Sequence, residues 1–550
     1  MFYNLNTFRL STQSSLQSTT VAQLSRYSGE WTLEKAAHLL RRTVYGPLLE
    51  EIQAAHRDGL DATLDKLLAE APIPSPPVKY RNDYDEYVKL GETWINTPYL
   101  GNNRYRGQSL KGWYYTNMMR SDRTNIQERM AFFWLNYFAV HGPITDHRAM
   151  YRTLKLYQEQ AVGNLRTMLQ KITVEPRMLF CLDGHTNDKK NPNENFAREL
   201  MELYTLGKGP TAALGDYTTY TEQDVAALAR ALTGWRNKEF LYSEKNIPVE
   251  SYFDAEAHDT GSKQLSHRLG NKVIQNAGSN EYKVVIDHLL SYKAAALNFC
   301  KRLYRYFVYY EIDDNVMAHI IHPLADTLIQ NNYEIKPVLR KLFSSEHFFQ
   351  ETFQGAVIKN PHDYICSLLR PFREFDHETR TLNLQLRYEL GDQYYNYCRD
   401  LQLEFLEPPT ISGWKAYYDA PQYYRHWLSP ALMQTRDKIA ISFLLDEDFH
   451  VNGNRIDINY YGFMKSLTDP YNVNKLIEET LLVLMPRKLA NNQVNYLKGK
   501  LLQGATEMEW PMLMKAYLAN PGVKEFARPV DDRLRPFLHA TVGLAEFQLQ

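Results

Sequence analysis

The sequence predicts an all-α protein: multi-helical, built as two packed helical units with long irregular loops. Three observations carry that prediction. Apolar residues recur at three- and four-residue spacing along most of the chain. Capping residue types stand at the starts of those segments and glycines at several of their ends. Strand-like alternation is sparse, with one hairpin expected near 250–275.

Taken in order, the segment from Thr32, TLEKAAHLLRR, reads as a helix capped by Thr32, with Ala36, Leu39 and Leu40 on one face. GLDATLDKLLAE reads as another short helix. APIPSPPV, residues 71–78, holds four prolines in eight residues and forms a polyproline-like connector. Residues 80–108 lack a clean period and read as an ordered loop. GWYYTNMMRS and NIQERMAFFWLNYFAVH form a helical pair, the second apolar on most sides and therefore central. Further helices are expected around 149–171, 194–206, 222–234, 281–291 and 293–310, and then through 360–450 around an irregular insert, LEPPTISGWKAYYDAPQYYRHW. The tail from 472 is helical, with WPMLMKAYLANPGV as its last long helix.

A chain of 550 residues exceeds one core of ordinary size. The expected division is an N-terminal extension (1–30), a core unit (31–350) and a C-terminal unit with the aromatic insert (351–550). The net charge of −1 argues against general affinity for nucleic acid or anionic membrane. Four cysteines without a CxxC pair read as free thiols. No signal-peptide core and no membrane-spanning run is seen, so the expectation is a cytoplasmic chain, with export as the alternative. The aromatic content, 39 Tyr, 24 Phe and 8 Trp, suits either a large core edged with tyrosine or wet interfaces with sugar-like ligands. Walker A, dinucleotide, HExxH, GxSxG and zinc-ligand patterns are lacking, which argues against a conventional nucleotide or zinc enzyme.

The densest chemistry lies in KNPNENFARELMELYTLGKG, residues 190–209. Asn193 or Glu194 caps the helix and Gly207 ends it. Asn195, Arg198, Glu199 and Glu202 fall on one stripe at i, i+3, i+4 and i+7. On an otherwise apolar helix that stripe is either an internal network, with Arg198 paired to Glu202 and Asn195 bonded to Glu199, or a site. In GDYTTYTEQDVAALARALTGW, Thr221 and Asp224 resemble a capping box, and Arg230 is expected to pair with Glu199 or Glu202. HDTGSK then supplies His258, Asp259 and Lys263, either acid–base chemistry or a turn. The expectation is no metal and no cofactor. Glu199, Glu202 and Asp259 would suit a hard cation, but one helix supplies only two of those ligands.

Together, AAHLLRRTVYGP, ERMAFFWLNYF, PNENFAREL, YTEQDVAALARALTGW, HDTGSK, KRLYRYFV, PPTISGWKAYY and AEFQLQ resemble, in order, the bacterial domain-of-unknown-function family 1800. The GWKAYYDAPQYYRHW version resembles the branch common in Bacteroidetes. The resemblance implies a mostly helical chain, often exported, and often encoded beside proteins resembling sulfatases and alkaline phosphatases. It thereby implies a cooperating pair acting on an anionic polymer. Against the family pattern, Leu135, Tyr137 and Gln160 stand where histidines are common, and Tyr204 where histidine or phenylalanine is. Chemistry that depends on those histidines is lost here; chemistry that depends on Glu199, Glu202, Arg198 and Arg230 survives.

Two function classes follow. One is a binding or accessory protein that cooperates with a sulfatase- or phosphatase-like partner on an anionic or carbohydrate polymer. The other is a hydrolase or transferase with Glu199, Glu202, His258 and Asp259 as catalytic groups. Asn193, Asn195, Arg198, Arg230, Lys263, Trp414, Tyr417 and Tyr418 are the expected binding residues. Six large aromatics interleaved with charges at 413–427 are expected to form a partly exposed wall beside the Glu199 helix.

Overall fold

The structure is a computed structural model describing residues 24–82, 85–101, 104–119, 124–141, 146–213, 216–242, 246–372, 384–445, 450–451, 454–455 and 458–550. Most of the expected N-terminal extension, residues 1–23, lies outside the described residues.

The chain is all-α, as its periodicity requires. The first half runs α1 (Leu33–Thr43), α2 (Leu49–Leu67), α3 (Arg104–Met118), α4 (Gln127–Tyr137), α5 (His147–Glu159), α6 (Leu165–Thr173), α7 (Pro176–Cys181), α8 (Glu194–Glu199), α9 (Glu222–Ala231), α10 (Glu281–Leu290) and α11 (Lys293–Phe307). The second half runs α12 (Asp314–Val316), α13 (His322–Gln330), α14 (Ile335–Phe343), α15 (Pro361–Leu369), α16 (Leu384–Asp400), α17 (Pro430–Leu444), α18 (Tyr460–Ser466), α19 (Val473–Leu484), α20 (Asn491–Leu502), α21 (Trp510–Ala519) and α22 (Lys524–Val542). The described strands form only two-stranded antiparallel ribbons. One pairs β1 (Trp235–Lys238) with β2 (Glu250–Phe253), in register Trp235 opposite Phe253. Another pairs residues 263–264 with 273–274, the hairpin expected from the sequence.

Local chemistry sets the boundaries. The Thr32 hydroxyl accepts from the Lys35 amide and starts α1. Thr221 and Asp224 close a reciprocal capping box on α9. GLDATLDKLLAE is a helix of its own, as expected: the run labelled α2 is two helices that meet at a kink at Gly59, whose φ of +82° and ψ of 169° are not helical. The loop expected over 80–108 is shorter, because α3 begins at Arg104; its remainder is pinned by Trp94, 1% exposed, donating to the Ser109 hydroxyl. WPMLMKAYLANPGV is not the last long helix. α22 is, despite Pro529 and Pro536 inside it. Pro536 cannot donate to the Asp532 carbonyl, and the Gln503 side chain donates to it instead at 2.8 Å.

As its composition demands, α4 is central: Met130, Ala131, Phe132 and Trp134 are fully buried. One continuous cluster of buried apolar side chains runs from Ala36 to Phe547. α3 and α16, from either side of residue 350, meet backbone to backbone. A Cβ on Gly112 would lie 2.4 Å from the Tyr388 carbonyl oxygen, and one on Gly391 2.3 Å from that of Gly112.

Candidate functional site

The helix that concentrates the sequence's chemistry is locally self-contained. The Asn193 side chain caps α8 by accepting from the Asn195 amide at 2.8 Å, while Asn195 itself is exposed. Arg198 does not pair with Glu202. It forks onto Glu222 of α9 through two 2.7 Å bonds. The reason is a π-helical turn, Leu200–Tyr204, which breaks the 3.6-residue spacing and sends Glu202 to the Tyr220 hydroxyl at 2.9 Å. Glu199 is half-buried, and no hydrogen bond or ion pair reaches its carboxylate among the described residues; burial, with the charge of Glu202, pushes its carboxyl up.

Arg230 pairs with neither Glu199 nor Glu202 but with Asp259, at 2.7 and 3.0 Å, and holds that carboxyl below its ordinary range. His258 faces the other way. Its Nε2 lies 3.2 Å from Glu281, and its Nδ1 2.9 Å from the Thr233 carbonyl. Lys263 also meets Glu281, and both are fully buried. HDTGSK thus forms a closed clamp between α9 and α10. His258 and Asp259 do not share a proton, and His258 is 2% exposed.

The aromatic segment is a strap across α4 and α11. Gly413, at φ +87°, approaches α4 so closely that a Cβ would sit 2.3 Å from Asn136 Oδ1. Asn136 accepts from the Trp414 amide at 3.0 Å. Trp414 and Trp427 are buried plugs, Trp414 against Phe132 at 5.4 Å. The Tyr417 hydroxyl accepts from Asn360 at 3.1 Å, whereas Tyr418 stays 38% exposed. Beneath the strap is a cavity of about 220 Å³ lined by Asn136 and Tyr137 of α4, Leu203 after α8, Lys301, Arg302 and Arg305 of α11, and Tyr417 and Tyr418. The strap and the α8 region therefore border one cavity, through Leu203 rather than Glu199.

A larger cleft lies elsewhere, lined in part by the antiparallel α3 and α16 beyond the Gly112–Gly391 contact. Its volume is about 730 Å³. Asp392 accepts from Gln108 at 3.3 Å, and burial pushes its carboxyl up to about 6. Lys111 stands over the Tyr395 ring, 3.8 Å from its centroid, and burial holds its ammonium down. Burial also raises Glu407 and takes His147 down to about 4. Tyr395 donates to Glu404 at 2.9 Å. Glu389 is 4% exposed, and among the described residues its Oε2 and the Gln108 Oε1 accept no hydrogen bond. Among the described residues no ion pair joins Asp392, Glu407, Lys111 or Arg104 to a partner. Charged and amide groups therefore stand beside Tyr80 and Tyr395, whose rings are buried, the first stacked on Tyr388 and the second under Lys111.

The sequence signal for this cleft was the one used for α8. Arg104, Gln108 and Lys111 make one polar stripe, and Glu389, Asp392, Asn396 and Arg399 another. Their meeting was invisible because it depends on a glycine contact between distant segments. Among the described residues, no group of three His, Cys, Asp or Glu side chains is arranged to hold a metal ion. No described helix is long and apolar enough to cross a membrane.

Residues 38–548 match the family described as "Protein of unknown function (DUF1800)". No curated protein and no solved structure matches the chain.

Proposed function

This chain belongs to the DUF1800 family, and on that premise we propose that it is a carbohydrate-binding protein holding a polyhydroxylated chain in the cleft between α3 and α16. The observation that carries this reading is the set of polar groups on the cleft wall that have no ion pair among the described residues: Glu389, Asp392, Glu407 and Lys111, beside Tyr80 and Tyr395. Carboxylates and an ammonium held apart from one another offer hydrogen bonds to hydroxyls without selecting a net charge. At about 30 Å³ per water, 730 Å³ is the space of roughly two dozen waters, enough for several rings. In this reading the sulfatase- or phosphatase-like partner expected from the family acts on a chain that this protein presents to it.

A glycan array of uncharged oligosaccharides tests the proposal. Wild-type protein is expected to bind at least one of them, and Lys111→Met and Asn396→Ala to weaken that binding at least tenfold while remaining folded. An array without binding, or variants that bind like wild type, refutes it.

A second reading is favoured by Asp392 alone. A carboxyl at about 6 retains its proton part of the time near neutral pH and would donate it to a leaving oxygen, making the protein a hydrolase. Shortening of the bound oligosaccharide on incubation, abolished in Asp392→Asn, is its signature.

A further inference from the structure

The cavity beneath the aromatic strap has an unbalanced charge. Lys301, Arg302 and Arg305 line it, and among the described residues no carboxylate does. Among the described residues none of the three has an ion pair. Arg305 donates to the Tyr310 carbonyl at 3.2 Å. Arg302 lies 4.7 Å from the centroid of the Tyr137 ring, and among the described residues no hydrogen bond reaches it. Lys301 has neither contact. Burial holds both Lys301 and Arg302 below their ordinary values.

A position near the C-terminus of α11 offers these cations some helix-dipole stabilisation. That accounts for charge on an exposed final turn. It does not account for a half-buried guanidinium turned under a strap, where loss of water is costly unless an anion compensates. The rest of the lining is also suited to a ligand. The Asn136 and Asn298 amides, the Ser412 hydroxyl and the half-exposed Tyr418 surround aromatic faces from Tyr137, Tyr306 and Tyr417. The volume, about 220 Å³, is the space of roughly seven waters at ~30 Å³ each, that of one ring with a small substituent.

We propose that this cavity is an anion site, in which Lys301, Arg302 and Arg305 hold an oxyanion substituent—sulfate, phosphate or carboxylate—while the strap tyrosines cover the sugar-sized ring that bears it. The site shares no lining residue with the α3/α16 cleft, so it stands or falls separately from the reading of that cleft.

Isothermal titration of the full chain at fixed ionic strength in chloride tests it, with glucose 6-sulfate, glucose 6-phosphate, glucuronate and unsubstituted glucose as probes. At least one anionic probe is expected to give saturable binding and glucose none; the probe preferred identifies the oxyanion. Arg302→Met, which keeps the stem over Tyr137, is expected to weaken that binding at least tenfold. Lys301→Gln, nearer to solvent, is expected to weaken it severalfold and serves if Arg302→Met fails to fold. Absence of saturable binding by all three anions overturns the proposal. So does glucose binding equal to that of an anionic probe, or wild-type affinity in the folded variants.

Discussion

Replacing Asp392 with asparagine removes one charge and leaves the acceptor that Gln108 uses. In the folded chain the Asp392 carboxyl is pushed from an ordinary 3.8 up to about 6, chiefly by burial and against the pull of Lys111. The folded state therefore binds more protons than the unfolded state between those values. Wild-type stability falls as pH rises through that window, and the loss is complete above about pH 7. At 1.36 kcal/mol per tenfold change in proton affinity, the charge destabilises the fold by about 2–3 kcal/mol at pH 8. Asparagine carries no such cost. An unfolding entropy of about 2.1 cal/mol/K per residue gives about 1.2 kcal/mol/K for 550 residues melting together. Asp392→Asn should then melt about 2 °C above wild type at pH 8, with the difference vanishing near pH 4. Differential scanning fluorimetry of both proteins across pH 4–8 measures it. A variant that melts below wild type at pH 8, or a gap that does not change with pH, refutes the assignment of Asp392 as a buried carboxyl without a charge partner.

Two further outcomes separate the closed clamp from the α8 stripe and locate the strap. Glu281→Gln takes from buried Lys263 the nearer of its two carboxylates, leaving only Asp259 at 3.9 Å, and is expected to cost about 3–5 kcal/mol, whereas Glu199→Gln, which removes a half-buried carboxylate without a cation, is expected to cost nothing; thermal melts of the two against wild type should differ accordingly. Gly413→Ala forces a Cβ against Asn136 at a left-handed φ and is expected to cost about 1–3 kcal/mol and to raise the susceptibility of the 413–427 segment to proteolysis; an unchanged digestion pattern would show that the strap does not depend on that contact.

What the sequence disclosed is local. The Thr32 cap, the Thr221–Asp224 box, the Asn193 cap and the buried α4 follow from neighbours within one or two turns. Partner choice did not follow, because it depends on departures from regular geometry. The π turn after Glu199 cancels the expected Arg198–Glu202 pairing and frees Arg198 for Glu222. The His-Asp dipeptide reads as one unit in the chain, yet adjacent side chains on extended backbone point apart, and Glu281 and Arg230 divide them. Aromatic residues were equally ambiguous: Trp414 and Trp427 became core while Tyr418, in the same segment, stayed at the surface.

The meeting of Gly112 and Gly391 has a mechanical corollary. The helices approach backbone to backbone at these glycines, with Gln108 donating to Asp392 on one side and Thr116 to the Arg387 carbonyl on the other, so the glycine contact sets the spacing from which the two arms extend. Arg104 lies eight residues from it along α3, about 12 Å at ~1.5 Å per residue, as does Arg399 along α16 in the other direction. A rocking of about five degrees at the glycines therefore shifts the far ends by ~1 Å, a displacement large enough to alter how a reacting group is positioned. The aperture is set by two missing methyl groups, and adding either one would pry the arms apart at their pivot.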